Sequence, residues 1–184
     1  RESVKIIPGM SIWQVRAAMD AHPALIHKSE ALETSQFAKV FGLEAPSAEG
    51  YFLPDTYIFD PDEADLVIYQ RAFAAMQKQL ANAWDLYTKG YPDGAVLKNP
   101  YQLLILASIV EKETGQASER GMISAVFHNR LKKGMMLQTD PTVIYGIGPK
   151  FDGDIKKADL RRDTPYNTYM RFGLPPTPIA MPSK

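Results

Sequence analysis

Residues 1–8 (RESVKIIP) alternate polar and apolar side chains with the period of a half-buried strand, and the run stops at the Pro8-Gly9 turn pair. Ser11 then stands at an N-cap position, and Ile12, Val15, Ala18 and Met19 form a short stripe at helical spacing. The span 28–43 predicts a second helix with Leu32, Phe37, Val40 and Phe41 on its apolar side. Residues 49–57 (EGYFLPDTY) are aromatic and broken by proline, which predicts extended or looped backbone. Asp60-Pro61-Asp62 opens a long helix to about Tyr87, whose inner face carries Leu66, Phe73, Met76, Leu80 and Trp84.

Gly90, Pro92 and Gly94 make the next loop, and Asn99-Pro100 is a helix start with asparagine as N-cap and proline at the first helical position. From Leu103 to Val110 that helix is apolar on nearly every side, which predicts burial all round. It ends near Glu113, with Gly115 as a left-handed stop. Another helix starts at Ser118-Glu119-Arg120, carries Ile123, Val126, Phe127, Arg130 and Leu131, and closes at Gly134. Beyond Leu137 the periodicity weakens into a short helix or turn, and the stretch from Gly173 is proline-rich. The expected fold is therefore α+β: a predominantly helical core, with short strands and loops in the C-terminal third. The expected division is a small N-terminal α/β subdomain, 1–48, followed by a larger domain, 49–184.

Composition narrows the classes. A chain of 184 residues, 45% apolar, buries a real core and is not a disordered segment. Lysine plus arginine number 21 and aspartate plus glutamate 21, so the formal charge is zero and no nucleic-acid partner is expected. The absence of cysteine excludes disulfides, thiolate metal sites and cysteine nucleophiles. The longest apolar run, Leu103 to Val110, is far short of the roughly 18 residues of a spanning helix. No secretory pattern opens the chain, yet Arg1 stands where an initiator methionine would, so a processed or excised chain with any anchor upstream is the expectation.

Among residues that carry chemistry, Glu113 stands first. It closes an apolar helix, where partial desolvation and the negative end of the helix dipole both favour a neutral carboxyl, the state a general acid needs. A solvated, frayed helix end accounts for the same residues. Glu111, two positions earlier, points to the other side. Gln138-Thr139-Asp140-Pro141 is a polar cluster in which Asp140 either caps the next helix or enters the chemistry. Tyr166 and Asn167, in the loop TPYNTY, suit sugar stacking and hydrogen bonding, or simply a turn. His22, His27 and His128 lack metal-ligand spacing, and Gly146-Ile147-Gly148 lacks the third glycine of a dinucleotide loop, so neither metal nor cofactor is expected.

Several motifs in fixed order carry a resemblance. ASIVEKET (107–114) is followed by ASER (117–120), VFHNRL (126–131), LQTDPTVIYG (137–146), YNTY (166–169) and GLPP (173–176), with GYFLPDTY (50–57) upstream. This string resembles the endolytic murein transglycosylases, the MltG- or YceG-like family of bacterial cell-wall enzymes, over most of the chain. The resemblance implies a lysozyme-like arrangement of active-site helices. It also implies a lyase that cleaves the β-1,4 bond between N-acetylmuramic acid and N-acetylglucosamine inside peptidoglycan strands. The muramic acid C6 hydroxyl attacks its own anomeric carbon and leaves a 1,6-anhydro end.

Glu113 matches the family's catalytic glutamate. By the same resemblance Gln138, Thr139, Asp140, Tyr145, Tyr166 and Asn167 contact substrate, with Tyr166 and Asn167 holding Glu113 and the acetamido group. Family members sit in the inner membrane through one N-terminal helix, face the periplasm and work beside peptidoglycan synthases; they also carry a small LysM-like module ahead of this region. Two rivals keep their place: a glycosidase using Glu113 with Asp140 as second carboxylate, and a non-catalytic module that binds glycan or a synthase.

Overall fold

The computed structural model describes residues 1–183, which fall into two compact units: Arg1–Ala83 with the chain end from Ala180, and Trp84–Ile179. The first runs β1 (Glu2–Ile6), α1 (Ile12–Asp20), β2 (Leu25–Ile26), α2 (Thr34–Val40), β3 (Asp55–Phe59), β4 (Glu63–Ala64) and into α3 (Asp65–Gly90), within which the division falls. β1 pairs antiparallel with β3, Val4 opposite Tyr57 and Ile6 opposite Asp55, and β2 pairs parallel with β4. The alternation of the opening residues is thus that of a strand with one buried face: Val4, Ile6, Tyr57 and Phe59 are buried and their neighbours exposed. Gln14 reaches back to the Ser11 N–H at 2.9 Å, and the buried Glu49 carboxylate accepts the Ile12 N–H at 3.0 Å, so the start of α1 has both a side-chain and an acidic partner.

Two expectations change here, and one division falls elsewhere. α2 covers seven residues rather than 28–43. Ser29 is fully buried and gives its hydroxyl to Asp65 Oδ2 at 2.6 Å, and Lys28 gives its N–H to Asp65 Oδ1 at 3.0 Å, so this backbone serves a side chain instead of a helix ladder. α3 starts at Asp65, later than Asp60, because residues 60–62 form a turn and 63–64 are β4. The units also divide within α3 and not at 48/49. Segment 49–83 belongs with the N-terminal residues because β3 zips onto β1, and because Phe52 and Tyr69 pack edge-on against Phe37, centroids 5.9 and 4.9 Å away.

The second unit holds the remainder of α3, then α4 (Pro100–Glu113), α5 (Ala117–Lys132), α6 (Asp140–Ile147) and α7 (Lys157–Arg161). α4 begins where the sequence predicts, with Asn99 Oδ1 accepting the Gln102 N–H at 2.9 Å and Pro100 in the first turn. It buries Leu104, Ile105, Leu106, Ser108, Ile109 and Val110, and packs with Leu97, Phe127, Leu137 and Ile179 in one apolar cluster. Ser108, a polar residue in that wall, donates to the Ile105 carbonyl at 2.6 Å and accepts the Ile179 N–H at 3.0 Å, which fastens the proline-rich segment to α4.

The α+β class holds, but the strands all precede residue 65 among the described residues; after Leu137 the chain forms α6, α7 and irregular backbone. Prolines 165, 175, 176, 178 and 182 cannot donate to a ladder, and the Ile179 N–H between two of them pairs with a side-chain hydroxyl, that of Ser108.

Two predictions follow from this packing. Ile109, fully buried in α4, when cut to alanine should cost about 2–5 kcal/mol in denaturant unfolding monitored by a probe in the second unit, whereas Leu86→Ala, exposed on α3, should change stability by under about 0.5 kcal/mol. His128 is buried and its Nε2 lies 2.7 Å from the Tyr87 hydroxyl, which also accepts the Leu97 N–H at 3.0 Å. Burial, and then the charge of Lys132, push this imidazole below its ordinary value. The unfolded chain therefore takes up the proton first, and the stability contributed by neutral His128 is present near neutral pH and lost as pH falls through the folded value. Melting curves recorded between pH 7 and 5 should drop less for His128→Gln than for the wild type.

Candidate active site

The site assembles where the C-terminus of α4 meets the N-terminus of α6. Glu113 is the last residue of α4, and the Thr114 N–H closes the helix on the Val110 carbonyl at 3.0 Å. The side chain is exposed. This corrects the expectation of a partly desolvated carboxyl: burial along α4 ends at Val110, one turn short of Glu113, so the apolar helix supplies a rigid base and not a dry pocket. The Glu113 carboxylate has a defined partner nonetheless, since Thr139 Oγ1 donates to its Oε1.

Thr139 is 3% exposed and stands at the N-cap position of α6 without a side-chain cap bond, and Asp140 is the first helical residue, so Asp140 is not the cap. Its main chain is held by two more buried threonines. The Thr139 N–H donates to Thr168 Oγ1 at 3.0 Å, Thr142 Oγ1 donates to the Thr139 carbonyl at 2.8 Å, and the Thr142 and Thr168 hydroxyls lie 2.8 Å apart. Gln138 is exposed, in the left-handed region at φ 50°, and its N–H donates to the Thr168 carbonyl at 3.2 Å. Loop 166–169 and the 138–142 segment are thereby stitched together through Thr168.

Asp140 is exposed and its Oδ1 accepts from the Tyr169 hydroxyl at 2.6 Å. Burial, then the hydrogen bond to Asp140 and the charges of Asp140 and Glu113, push the Tyr169 phenol up to about 12, so it stays a protonated donor beside the two carboxylates. Asn167 is 1% exposed and gives its amide to the carbonyls of Asp159, Leu160 and Arg162 at 3.3, 3.0 and 2.7 Å, while its Oδ1 accepts the Tyr169 N–H at 2.9 Å. It braces α7 and aims the Tyr169 loop through these main-chain partners. Tyr166 pairs its hydroxyl with Thr177 Oγ1 at 2.8 Å and packs on Tyr145, ring centroids 5.0 Å apart. Gly146 permits that approach, because a Cβ there would come within 3.1 Å of Tyr166 Cβ.

Of the expected residues, Glu113 and Thr139 meet directly, Asp140 lies next in sequence, and Tyr145, Tyr166 and Asn167 frame the loop behind. Glu113 takes a hydrogen bond from Thr139, a residue the resemblance had assigned to substrate contact. Glu111 points away as expected, its side chain 6% exposed and 3.7 Å from the Arg120 guanidinium. Thr114 ties the turn after Glu113 by donating to Glu119 Oε2 at 2.9 Å and accepting the Gln116 N–H at 3.0 Å. Tyr169, Thr142 and Thr168 were not among the expected site residues; the second phenol of YNTY was the one visible sign. No group of metal-ligating side chains occurs among the described residues.

Fold and site together define a helical α+β protein with one hydroxyl-anchored carboxylate at the end of a buried helix. Residues 1–184 match the model of the YceG-like family, and the chain belongs to that family. An endolytic murein transglycosylase of Bacillus subtilis is 42% identical over 132 residues, covering 72% of this chain and 35% of that protein. A Streptococcus pneumoniae protein of the same name is 35% identical over 140 residues, 73% of this chain and 24% of that protein. A yceG-like protein of Listeria monocytogenes, known from a crystal structure, aligns over 98% of this chain and 63% of its own with a TM-score of 0.78 and 31% identity. The chain thus spans about a third or less of the curated relatives it matches.

The Tyr169–Asp140 pairing is open to a double-mutant cycle. Tyr169→Phe and Asp140→Ala should couple by about 1 kcal/mol in unfolding free energy, and strict additivity would contradict the hydrogen bond.

Proposed function

We propose that this chain carries the catalytic region of a peptidoglycan lytic transglycosylase, cutting inside glycan strands at the β-1,4 bond between N-acetylmuramic acid and N-acetylglucosamine. The observation that carries the reading is Glu113 itself: one carboxylate, open to solvent on one side and fixed from behind by a buried hydroxyl, in a chain similar to proteins named endolytic murein transglycosylases. In the reaction, neutral Glu113 gives its proton to the glycosidic oxygen as the bond to the anomeric carbon breaks. The C6 hydroxyl of the same muramic acid forms the new bond to that carbon and returns its proton to the carboxylate. One bond is exchanged for another, no water is consumed, and the acid is regenerated. A single carboxylate suffices because the substrate supplies the nucleophile, whereas hydrolysis calls on a second group to activate water or attack.

The exposure of Glu113 assigns part of the work to the substrate. The protein leaves this carboxyl wet, so the seated glycan strand excludes water from it. Tyr169 and Asp140 form the polar rim beside it, with Gln138 exposed next to them. The same reading places the protein at the cell envelope, at the inner membrane facing the periplasm beside the synthases that make nascent glycan. No helix among the described residues is long and apolar enough to cross a membrane.

The test is product mass. Sacculi digested with the wild type should yield fragments ending in 1,6-anhydro-muramic acid, one water lighter than hydrolysed ends, and Glu113→Gln should lower the rate by about 10²–10⁴-fold. Reducing ends would assign the chemistry to a hydrolase with Asp140 as second carboxylate. Binding to sacculi without release of fragments would make the chain a glycan-binding module.

A further inference from the structure

We infer that Thr139 is a positioning residue for Glu113, and that its bond divides the labour between the two carboxyl oxygens: Oε1 holds the threonine hydroxyl, and Oε2 both gives and receives the reaction's proton. The inference rests on the functional reading above and refines it. It also moves Thr139 from the substrate contact expected of it to a residue that acts through another.

Three observations carry it. Thr139 is 3% exposed, so a glycan strand cannot use its hydroxyl, whereas Glu113 beside it is exposed. Thr139 occupies the N-cap of α6 yet makes no side-chain cap bond, forgoing the stabilisation that threonine ordinarily supplies at that position. Its hydroxyl goes to Glu113 Oε1 instead.

The main chain of Thr139 is meanwhile pinned on both sides. Its N–H is held by Thr168 Oγ1 at 3.0 Å and its carbonyl by Thr142 Oγ1 at 2.8 Å, and both of those threonines are buried. A hydroxyl on so constrained a backbone has few other directions to take.

Proton accounting then separates the oxygens. The Thr139 hydroxyl has one hydrogen, and it lies on Oε1. A proton on Oε1 would compete for the same space, so the neutral acid carries its proton on Oε2, the oxygen left free for the sugar. Once that proton has gone to the departing oxygen, Oε2 is again the atom with a free lone pair and takes the hydrogen of the C6 hydroxyl. Both transfers occur at one atom and the carboxyl does not rotate between them. Thr168 and Thr142 act one step further back, on Thr139.

The experiment measures kcat and KM on a soluble peptidoglycan-derived glycan oligomer for the full chain, with Thr139→Val, Thr139→Ser and Glu113→Gln compared after circular dichroism confirms folding. Valine keeps the shape and removes the hydroxyl. It should lower kcat about 10–100-fold with KM within about twofold, and serine should restore kcat to within about threefold of the wild type. Should Thr139→Val fail to fold, Thr139→Ala replaces it. A folded variant with unchanged kcat, or one whose KM rises at constant kcat as for a substrate contact, overturns the inference. If Glu113→Gln is inactive while Thr139→Val turns over normally, this inference alone falls; if Glu113→Gln works at the wild-type rate, the functional reading falls with it.

Discussion

The arrangement depends on a single hydrogen bond between a buried hydroxyl and an exposed carboxylate. Thr139 reaches Glu113 across the junction of α4 and α6, and each partner is secured by its own surroundings. On one side stands a helix whose last buried turn ends at Val110. On the other, Thr142 and Thr168 pair their hydroxyls in the interior and hold the Thr139 carbonyl and N–H. Buried polar groups of this kind specify a geometry when all their partners are present. Here the geometry they specify is the direction of one carboxyl.

A helix apolar on nearly every side suggested a carboxyl dried by its surroundings. The structure assigns the helix another task. The apolar length of α4 fixes the position of Glu113 by packing, while the chain leaves the carboxyl itself in water. In the proposed reaction dehydration comes with the substrate, and the protein contributes orientation. Tyr169 fits the same division of labour, because a phenol that keeps its proton near two carboxylates remains a donor at the rim.

What the sequence revealed followed from how local its signals were. Asn99-Pro100 marks the start of α4 within its own few residues, and the end at Glu113 follows from the change of polarity after Val110. The strand character of residues 2–6 is equally local. The pairing of β1 with β3 and the burial of Phe52 and Tyr69 against Phe37 are contacts over long separations, and no periodicity shows that segment 49–83 packs with the N-terminal residues. Thr142 and Thr168 were not legible for a related reason. Threonine is commonplace on surfaces, and a buried hydroxyl trio leaves no spacing signature. The bracing role of Asn167 was not legible because an amide suited to a sugar is equally suited to three backbone carbonyls, and only the fold brings those carbonyls to it.

The most direct measurement is a crystal structure of the Glu113→Gln protein with a bound glycan oligosaccharide. The account predicts the scissile glycosidic oxygen within hydrogen-bond reach of the outward atom of residue 113, the Thr139 hydroxyl still behind the inward one, and the muramic acid C6 hydroxyl on the same outward side. A strand seated away from residue 113, or a water held by Asp140 in line with the anomeric carbon, would contradict it.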